Sequence, residues 1–314
     1  MIEETVLRFR GAYGRVLFLP PVIIAAAAHR TSVRDAMTNC GIIPSAIVLE
    51  PMGRNTAPAA AIASLIAQEI DPEAFVLLAP ADHLISNLAA FLQVIEQATA
   101  ALPERIVTFG ITPSGPETGY GYIKQGEAIA PGVFSVAAFK EKPDSALATR
   151  YLRKGGFSWN AGIFLFSPET MLGEFAAFAD DIRQDSTAAF LRASRQDTEV
   201  LLDADAFGAV RSEAVDRAVM ERTKRAAVAP CDIGWADVGS WAELWRLSPK
   251  DTVGNAIEGP VTLVDTMNSY VRSAGIQLSV LGVSDLVIVA NGSSVLVAHR
   301  NRVQDVKAVI PRSG

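Results

Sequence analysis

Residues 75–83 read Phe75-Val-Leu-Leu-Ala-Pro-Ala-Asp-His83. An unbroken apolar run stops at a proline and is followed at once by a carboxylate. A run this short without a polar break is the mark of a strand in a parallel sheet covered on both faces. Upstream, residues 21–27 and 46–50 read as two further strands. Residues 31–40 read as a helix stopped by Gly41, and Thr56 caps a helix that carries Pro58 in its first turn and runs to residue 70. Downstream, residues 88–101 read as a helix and 105–111 as a strand. The alternation predicts an α/β fold with a doubly wound, mostly parallel sheet. Strands at 134–139 and 161–166 and a helix at 145–154 extend it. Residues 169–222 read as mostly helical.

The texture changes after Ser248-Pro-Lys-Asp251. Runs at 261–264, 269–272, 277–281, 286–290 and 295–298 are short, β-rich and separated by turn residues, which predicts an all-β unit. Residues 302–310 read as a closing helix. The expected division is therefore an α/β domain over 1–248 and a small β-rich unit over 249–314.

Half of the 314 residues are hydrophobic, enough for a sizeable core, and the net charge of −6 comes with basic residues spread singly. That distribution argues against a nucleic-acid surface. Two cysteines, Cys40 and Cys231, do not make a disulfide framework, and His29, His83 and His299 have no zinc spacing. Arg8, Arg10 and Arg15 ahead of the apolar stretch 16–28 outline a signal peptide, but Glu3, Glu4 and the Pro20-Pro21 pair break that pattern. The stretch is also too short to span a bilayer. The expectation is a cytoplasmic enzyme of small substrates with no membrane partner; a homo-oligomer stays open.

Ligands of open α/β sheets bind outside the carboxyl ends of strands. Asp82 stands at such an end, either as a ligand for a hard cation such as magnesium or as a loop aspartate. Arg54, Asn55 and Thr56 open a helix after a strand. They suit an anionic group, or they are ordinary turn and cap residues. In Gly119-Tyr-Gly-Tyr122, two glycines mark a close approach of a ligand or another backbone. Lys142 can hold a phosphate and Glu141 can accept sugar hydroxyls, or both belong to a solvated charge run. Asn160 is a hydroxyl reader or a satisfied turn residue. Asp232-Ile-Gly-Trp-Ala-Asp-Val-Gly-Ser-Trp241 is dense in costly residues, and its Asp237 is a candidate second carboxylate for the cation of Asp82.

Taken together these stretches resemble the sugar-nucleotide pyrophosphorylases, and among them the bacterial mannose-1-phosphate guanylyltransferases. The matching segments are 49–58, 79–83, 109–123, 139–143, 159–166, 215–223 and 234–241, in the family's order. The resemblance implies a nucleotidyltransferase α/β domain followed by a β-helix-like unit. It also implies guanylyl transfer from GTP to mannose-1-phosphate with Mg2+. On that likeness Asp82 and Asp237 hold magnesium, Lys142 holds the sugar phosphate, Glu141 and Asn160 take sugar hydroxyls, and Gly121 and Tyr122 line the sugar site. The family opens on a central strand and a G-G-x-G-x-R loop whose amides cradle the triphosphate. Neither stands in these residues; Met1 to Phe9 resembles the helix that follows the loop. The expected sheet is thus one without its first strand and phosphate loop. Lys140, and Arg217 at a usually aromatic place, also depart from the pattern. A non-catalytic relative that binds sugar phosphate or a partner subunit is one alternative, and a glucose-1-phosphate nucleotidyltransferase is another.

Overall fold

The computed structural model describes residues 1–238 and 241–308. Two compact units divide the chain, Met1–Trp235 and Ala236–Gly314. The boundary predicted at 248/249 thus moves to 235/236. The reason is the helix Trp241–Leu247, whose Trp241, Ala242, Leu244 and Trp245 pack onto Ala256, Tyr270, Val287 and Val303 of the second unit.

In the first unit a four-stranded sheet runs in the order Ser194–Gln196, Glu199–Leu201, Ala46–Glu50, Val22–Ala26. Val22–Ala26 and Glu199–Leu201 both lie parallel to Ala46–Glu50. A six-stranded sheet has the order Val76–Leu78, Phe157–Phe166, Ile106–Ile111, Ala226–Cys231, Val133–Lys140, Tyr122–Ala130. Ala226–Cys231 is parallel to Ile106–Ile111, whereas Phe157–Phe166 is antiparallel to Val76–Leu78, Ile106–Ile111 and the start of Tyr122–Ala130. The α/β nucleotidyltransferase-type sheet is therefore mixed. The helical reading of 169–222 needs one correction. Helices Pro168–Phe178, Asp180–Leu191 and Ala204–Ala209 are interrupted by the 194–201 hairpin, whose Val200 is buried beside Val48 in the main core.

Local chemistry fixes the helix ends. The helix Arg30–Cys40 stops at Gly41, whose φ of 60° lets its N–H reach back to the Met37 and Thr38 carbonyls. The helix Thr56–Ile70 is capped by Asn55, not by Thr56: Asn55 Oδ1 accepts from the Thr56 N–H. Small residues, Ala57, Ala60, Ala61 and Ala63, let this helix lie close on the sheet.

The apolar run predicts that Val76–Leu78 is covered on both faces, yet all three residues are only half-buried. Its antiparallel partner is Phe157–Phe166, and among the described residues its other edge has none. Val22–Ala26 is likewise half-buried and paired on one side. Val22, Ile24, Val76 and Leu78 pack against one core cluster that includes Ala57, Ala60, Ala61 and Ile62 of the Thr56–Ile70 helix. One helix thus underlies two strands that end two separate sheets. The helix Ile2–Arg8 ties both together: Ile2 packs beside Ile23, Thr5 Oγ1 donates to the Ala81 carbonyl at 3.1 Å, and Arg8 donates to the His83 carbonyl at 3.3 Å. The apolar stretch with a signal-peptide outline supplies the strands Val16–Phe18 and Val22–Ala26. Among the described residues no helix is long and apolar enough to cross a membrane.

The second unit stacks Ala256–Glu258, Tyr270–Ala274 and Leu286–Asn291 as parallel rungs, with Ser294–His299 antiparallel on the last. Val261–Val264 and Leu278–Leu281 form a second parallel pair. Inside, polar side chains link successive turns. Asn255 Nδ2 donates to the Thr266 carbonyl at 2.7 Å, Asn255 Oδ1 accepts from the Ser269 N–H, and Ser269 Oγ accepts from the Leu286 N–H. The helix expected at 302–310 is a run of 3-10 turns over Arg300–Ala308, and residues 309–310 lie outside the described residues.

Candidate active site

The residues expected to recognise a sugar meet in the first unit. The bulged strand Phe157–Phe166 breaks register between Asn160 and Phe164, with Gly162 at a φ of 67°. The bulge aims the buried Asn160 side chain at three partners. Its Oδ1 lies 2.7 Å from Thr108 Oγ1 and accepts from the Gly162 N–H at 3.2 Å, and its Nδ2 donates to Asp216 Oδ1 at 2.7 Å. The Asn160 N–H donates to the Gly121 carbonyl at 2.8 Å. A Cβ on Gly121 would stand 2.6 Å from Glu141 Oε2 and 3.2 Å from Asn160 Cβ. Only glycine fits there, as its place in the sequence predicts.

Glu141 is buried. Loss of solvent, then the nearby Asp216, push its carboxyl up to about 7, with Lys142 pulling the other way. Asp216 is buried too, and desolvation is the first cause that raises it. Lys142 Nζ lies 3.6 Å from Glu141 Oε1, and its backbone sits at a φ of 46°, uncommon for a residue with a side chain. Strain of that kind gathers at functional sites. Lys140 pairs with Glu221, whose Oε1 also accepts the Glu141 N–H at 2.9 Å, so this departure from the family pattern braces the Glu141 backbone.

Tyr122 needs a correction. It is buried in the core, its hydroxyl reaches the Gly115 carbonyl at 3.4 Å, and its ring leans on Tyr151. It anchors the loop and does not line a site. The neighbouring Tyr120 ring meets Trp159 and Trp235 edge-on at 5.1 Å each, and Trp235 in turn donates to His83 Nδ1. These four rings form a half-buried apolar wall beside Asp82. Their meeting carried no signal at sequence level beyond the density of aromatic residues.

The Arg54-Asn-Thr56 stretch is the second correction. Arg54 donates to the Phe207 and Gly208 carbonyls near the end of the helix Ala204–Ala209. Asn55 is a cap, at a φ of 65°. Thr56 Oγ1 accepts from the Val215 N–H at 3.0 Å, and the Ala57 N–H donates to the Glu213 carbonyl. With Pro58 lacking an N–H, the donors of this helix start are turned inward, not offered to an anion. Glu50, just before it, has a buried Oε1 with no hydrogen-bond partner, and burial pushes its carboxyl up to about 7.

Asp82 is exposed on the turn after Val76–Leu78. Asp237 belongs to the second unit. Gly239 and Ser240 of the Asp232–Trp241 stretch lie outside the described residues. Among the described residues no three His, Cys, Asp or Glu gather at one place. A divalent cation would therefore rest on one or two carboxylates and on substrate oxygens, which is how magnesium is commonly held. The carboxylate of Asp82 is a hard oxygen donor of that kind.

Residues 12–253 match the Nucleotidyl transferase family, and residues 259–312 match the MannoseP isomerase/GMP-like beta-helix domain. The chain is 42% identical over 92% of its length to the xanthan biosynthesis protein XanB of Xanthomonas campestris pv. campestris, and 40% identical over 99% to the mannose-1-phosphate guanylyltransferase of Escherichia coli K12. It spans 62% and 66% of those two proteins. A crystal structure from Thermus thermophilus, described as a mannose-1-phosphate geranyltransferase, superposes with a TM-score of 0.83 at 28% identity, over 99% of this chain and 88% of that one. The chain belongs to the nucleotidyl transferase family, with a β-helix unit of the mannose-phosphate isomerase/GMP-like type after it.

Proposed function

We propose that this chain transfers a guanylyl group from GTP to mannose-1-phosphate, giving GDP-mannose and pyrophosphate. The observation that carries the reading is the convergence of Gly121, Glu141, Lys142 and Asn160 on one space. The names of the relatives support the choice of mannose and guanine. Gly121 carries no side chain to crowd Glu141 and Asn160. Asn160 and Glu141 take hydroxyls, and a carboxyl that titrates at about 7 can either donate to or accept from one. Lys142 holds the sugar phosphate as a point charge. The phosphate oxygen so held attacks the α-phosphorus of GTP in line. A new P–O bond forms as the α–β bond breaks, and pyrophosphate leaves with the electron pair. Asp82 and Asp237 are the carboxylates that would hold magnesium, which when bound offsets charge repulsion at the phosphates. A nucleoside triphosphate substrate supports a cytoplasmic setting.

Pyrophosphate release with magnesium, GTP and mannose-1-phosphate tests the reading. Glucose-1-phosphate and the other triphosphates serve as controls. Release specific to the named pair is the expected result, and Asp237→Ala should abolish it while leaving the fold intact by circular dichroism. Release with glucose-1-phosphate instead, or with no pair at all, sinks the proposal.

A further inference from the structure

We infer that Asp216 is a positioning residue of the sugar-phosphate site: clamped in place by Thr56, its carboxyl group sets which way the Asn160 amide faces. The inference rests on the reading of Asn160 as a hydroxyl reader and adds how its orientation is enforced.

The two ends of an asparagine amide are nearly the same in shape, so hydrogen-bond partners decide which is oxygen and which is nitrogen. Gly162 N–H can only donate, so the atom 3.2 Å from it is the amide oxygen. Asp216 Oδ1, on the other side, accepts from the amide nitrogen at 2.7 Å. Thr108 Oγ1 lies 2.7 Å from Oδ1 and 3.1 Å from the Ile163 carbonyl. One hydrogen of Nδ2 goes to Asp216. Nδ2 lies 3.5 Å from the place a Gly121 Cβ would fill, at the edge of the space assigned to the sugar, since that place itself is only 2.6 Å from Glu141 Oε2. The second hydrogen is the one left for that space.

Asp216 is held from behind. It opens the π-helical turn Asp216–Met220, a geometry that recurs at functional sites. The Val215 N–H donates to Thr56 Oγ1 at 3.0 Å, and the Ala57 N–H donates to the Glu213 carbonyl at 2.9 Å. Two bonds therefore fasten residues 213–215 to the start of the alanine-rich helix Thr56–Ile70, itself capped by Asn55. Residues 55–57 are a clamp on the Asp216 turn, and the hydroxyl expected to touch an anionic substrate is the clamp's own acceptor. Four distant places in the sequence, 56, 108, 160 and 216, are joined into one relay ending at the sugar space.

The test uses the full chain with magnesium, GTP and mannose-1-phosphate. Asp216→Ala should raise the KM for mannose-1-phosphate by roughly 10- to 100-fold, the usual effect of losing a buried charged hydrogen bond, and leave the KM for GTP within about 2-fold. Asp216→Asn keeps an acceptor oxygen and should stay within about 3-fold. Thr56→Val should show the same split by substrate, and Thr56→Ser should restore the parent values. Should Asp216→Ala fail to fold, the Thr56 pair carries the same decision. A second readout needs no turnover: the two side-chain amide proton signals of Asn160, identified by their loss in Asn160→Ser, should move in Asp216→Ala and keep their positions in Asp216→Asn. Equal loss in Asp216→Ala and Asp216→Asn, a Thr56→Val effect on GTP instead of sugar phosphate, or unmoved Asn160 signals in Asp216→Ala would overturn the inference. Absent turnover in the parent chain removes the guanylyl-transfer reading alone, and the amide signals then decide.

Discussion

Replacing Glu141 by glutamine should remove one part of the pH dependence of stability. The folded carboxyl titrates at about 7 and the ordinary value is 4.5. Below pH 4.5 the group is protonated in both the folded and unfolded chain, and glutamine is its near-isostere, so the two proteins should be equally stable. As pH rises from 4.5 to 7 the unfolded chain releases its proton while the folded chain still holds it, so the parent loses stability. At ~1.4 kcal/mol per pH unit the gap amounts to about 3 kcal/mol, reached above pH 7. Asp216 works in the same direction, since it is raised by burial, and removing the charge beside it eases its own ionisation. Glu50 is raised in both proteins and cancels on subtraction. The assay is thermal unfolding of the first unit at pH 4.5, 6, 7 and 8. For a unit of this size, Glu141→Gln should melt about 5–10 °C above the parent at pH 8 and level with it at pH 4.5. A difference that stays constant across the four pH values would refute the reasoning, because it would mean that Glu141 ionises as freely folded as unfolded.

Three further outcomes follow from the geometry. Gly121→Ala puts a methyl group 2.6 Å from Glu141 Oε2 and should destabilise by about 1–3 kcal/mol, read in urea unfolding, with weakened mannose-1-phosphate binding. Arg54→Ala leaves the Phe207 and Gly208 carbonyls without their donor and should cost about 1–3 kcal/mol of stability with the KM for GTP unchanged; a selective rise in that KM would return Arg54 to the substrate. Burial, with Asp232 nearby, pushes the Cys231 thiol up to about 12, so native protein at pH 8 should resist iodoacetamide at Cys231 and react there only after denaturation, as peptide mass spectrometry would show.

The elements with local punctuation were legible. Gly41 ends one helix by its φ of 60°, and Asp144 caps Ser145–Lys154 through the Leu147 N–H. The strands Ala46–Glu50, Val76–Leu78 and Ile106–Ile111 announced themselves by apolar runs. Glu199–Leu201 did not, because so short a strand carries no periodicity and its place is set by pairing with Ile47, Val48 and Leu49, far upstream. The candidate site divides in the same way. Gly121, Glu141 and Lys142 stand at strand ends, where ligands are expected, Asn160 sits in a bulge inside a strand, and the structure brings them together. Asp216 was missed because its partner lies 56 residues away and nothing in its neighbourhood marks it as buried. Tyr122 and Arg54 were misread for a related reason. A tyrosine between glycines and an arginine at a helix start look alike whether they face a ligand or the protein's own carbonyls, and only the hydrogen bonds to Gly115, Phe207 and Gly208 tell the cases apart.

The polar column inside the second unit has a consequence for how that unit opens. Asn255, Ser269 and the Leu286 amide are linked each to the next, and the strands they serve are stacked neighbour on neighbour. A stack with nearest-neighbour coupling loses order from its ends, like a zipper, and its stability is a sum over rungs. Amide exchange should therefore be slowest at Tyr270–Ala274 and Leu286–Asn291, each paired on both sides, and faster at Ala256–Glu258 and Ser294–His299. Cutting the column at Ser269 would uncouple the rungs on either side and turn one cooperative opening into two.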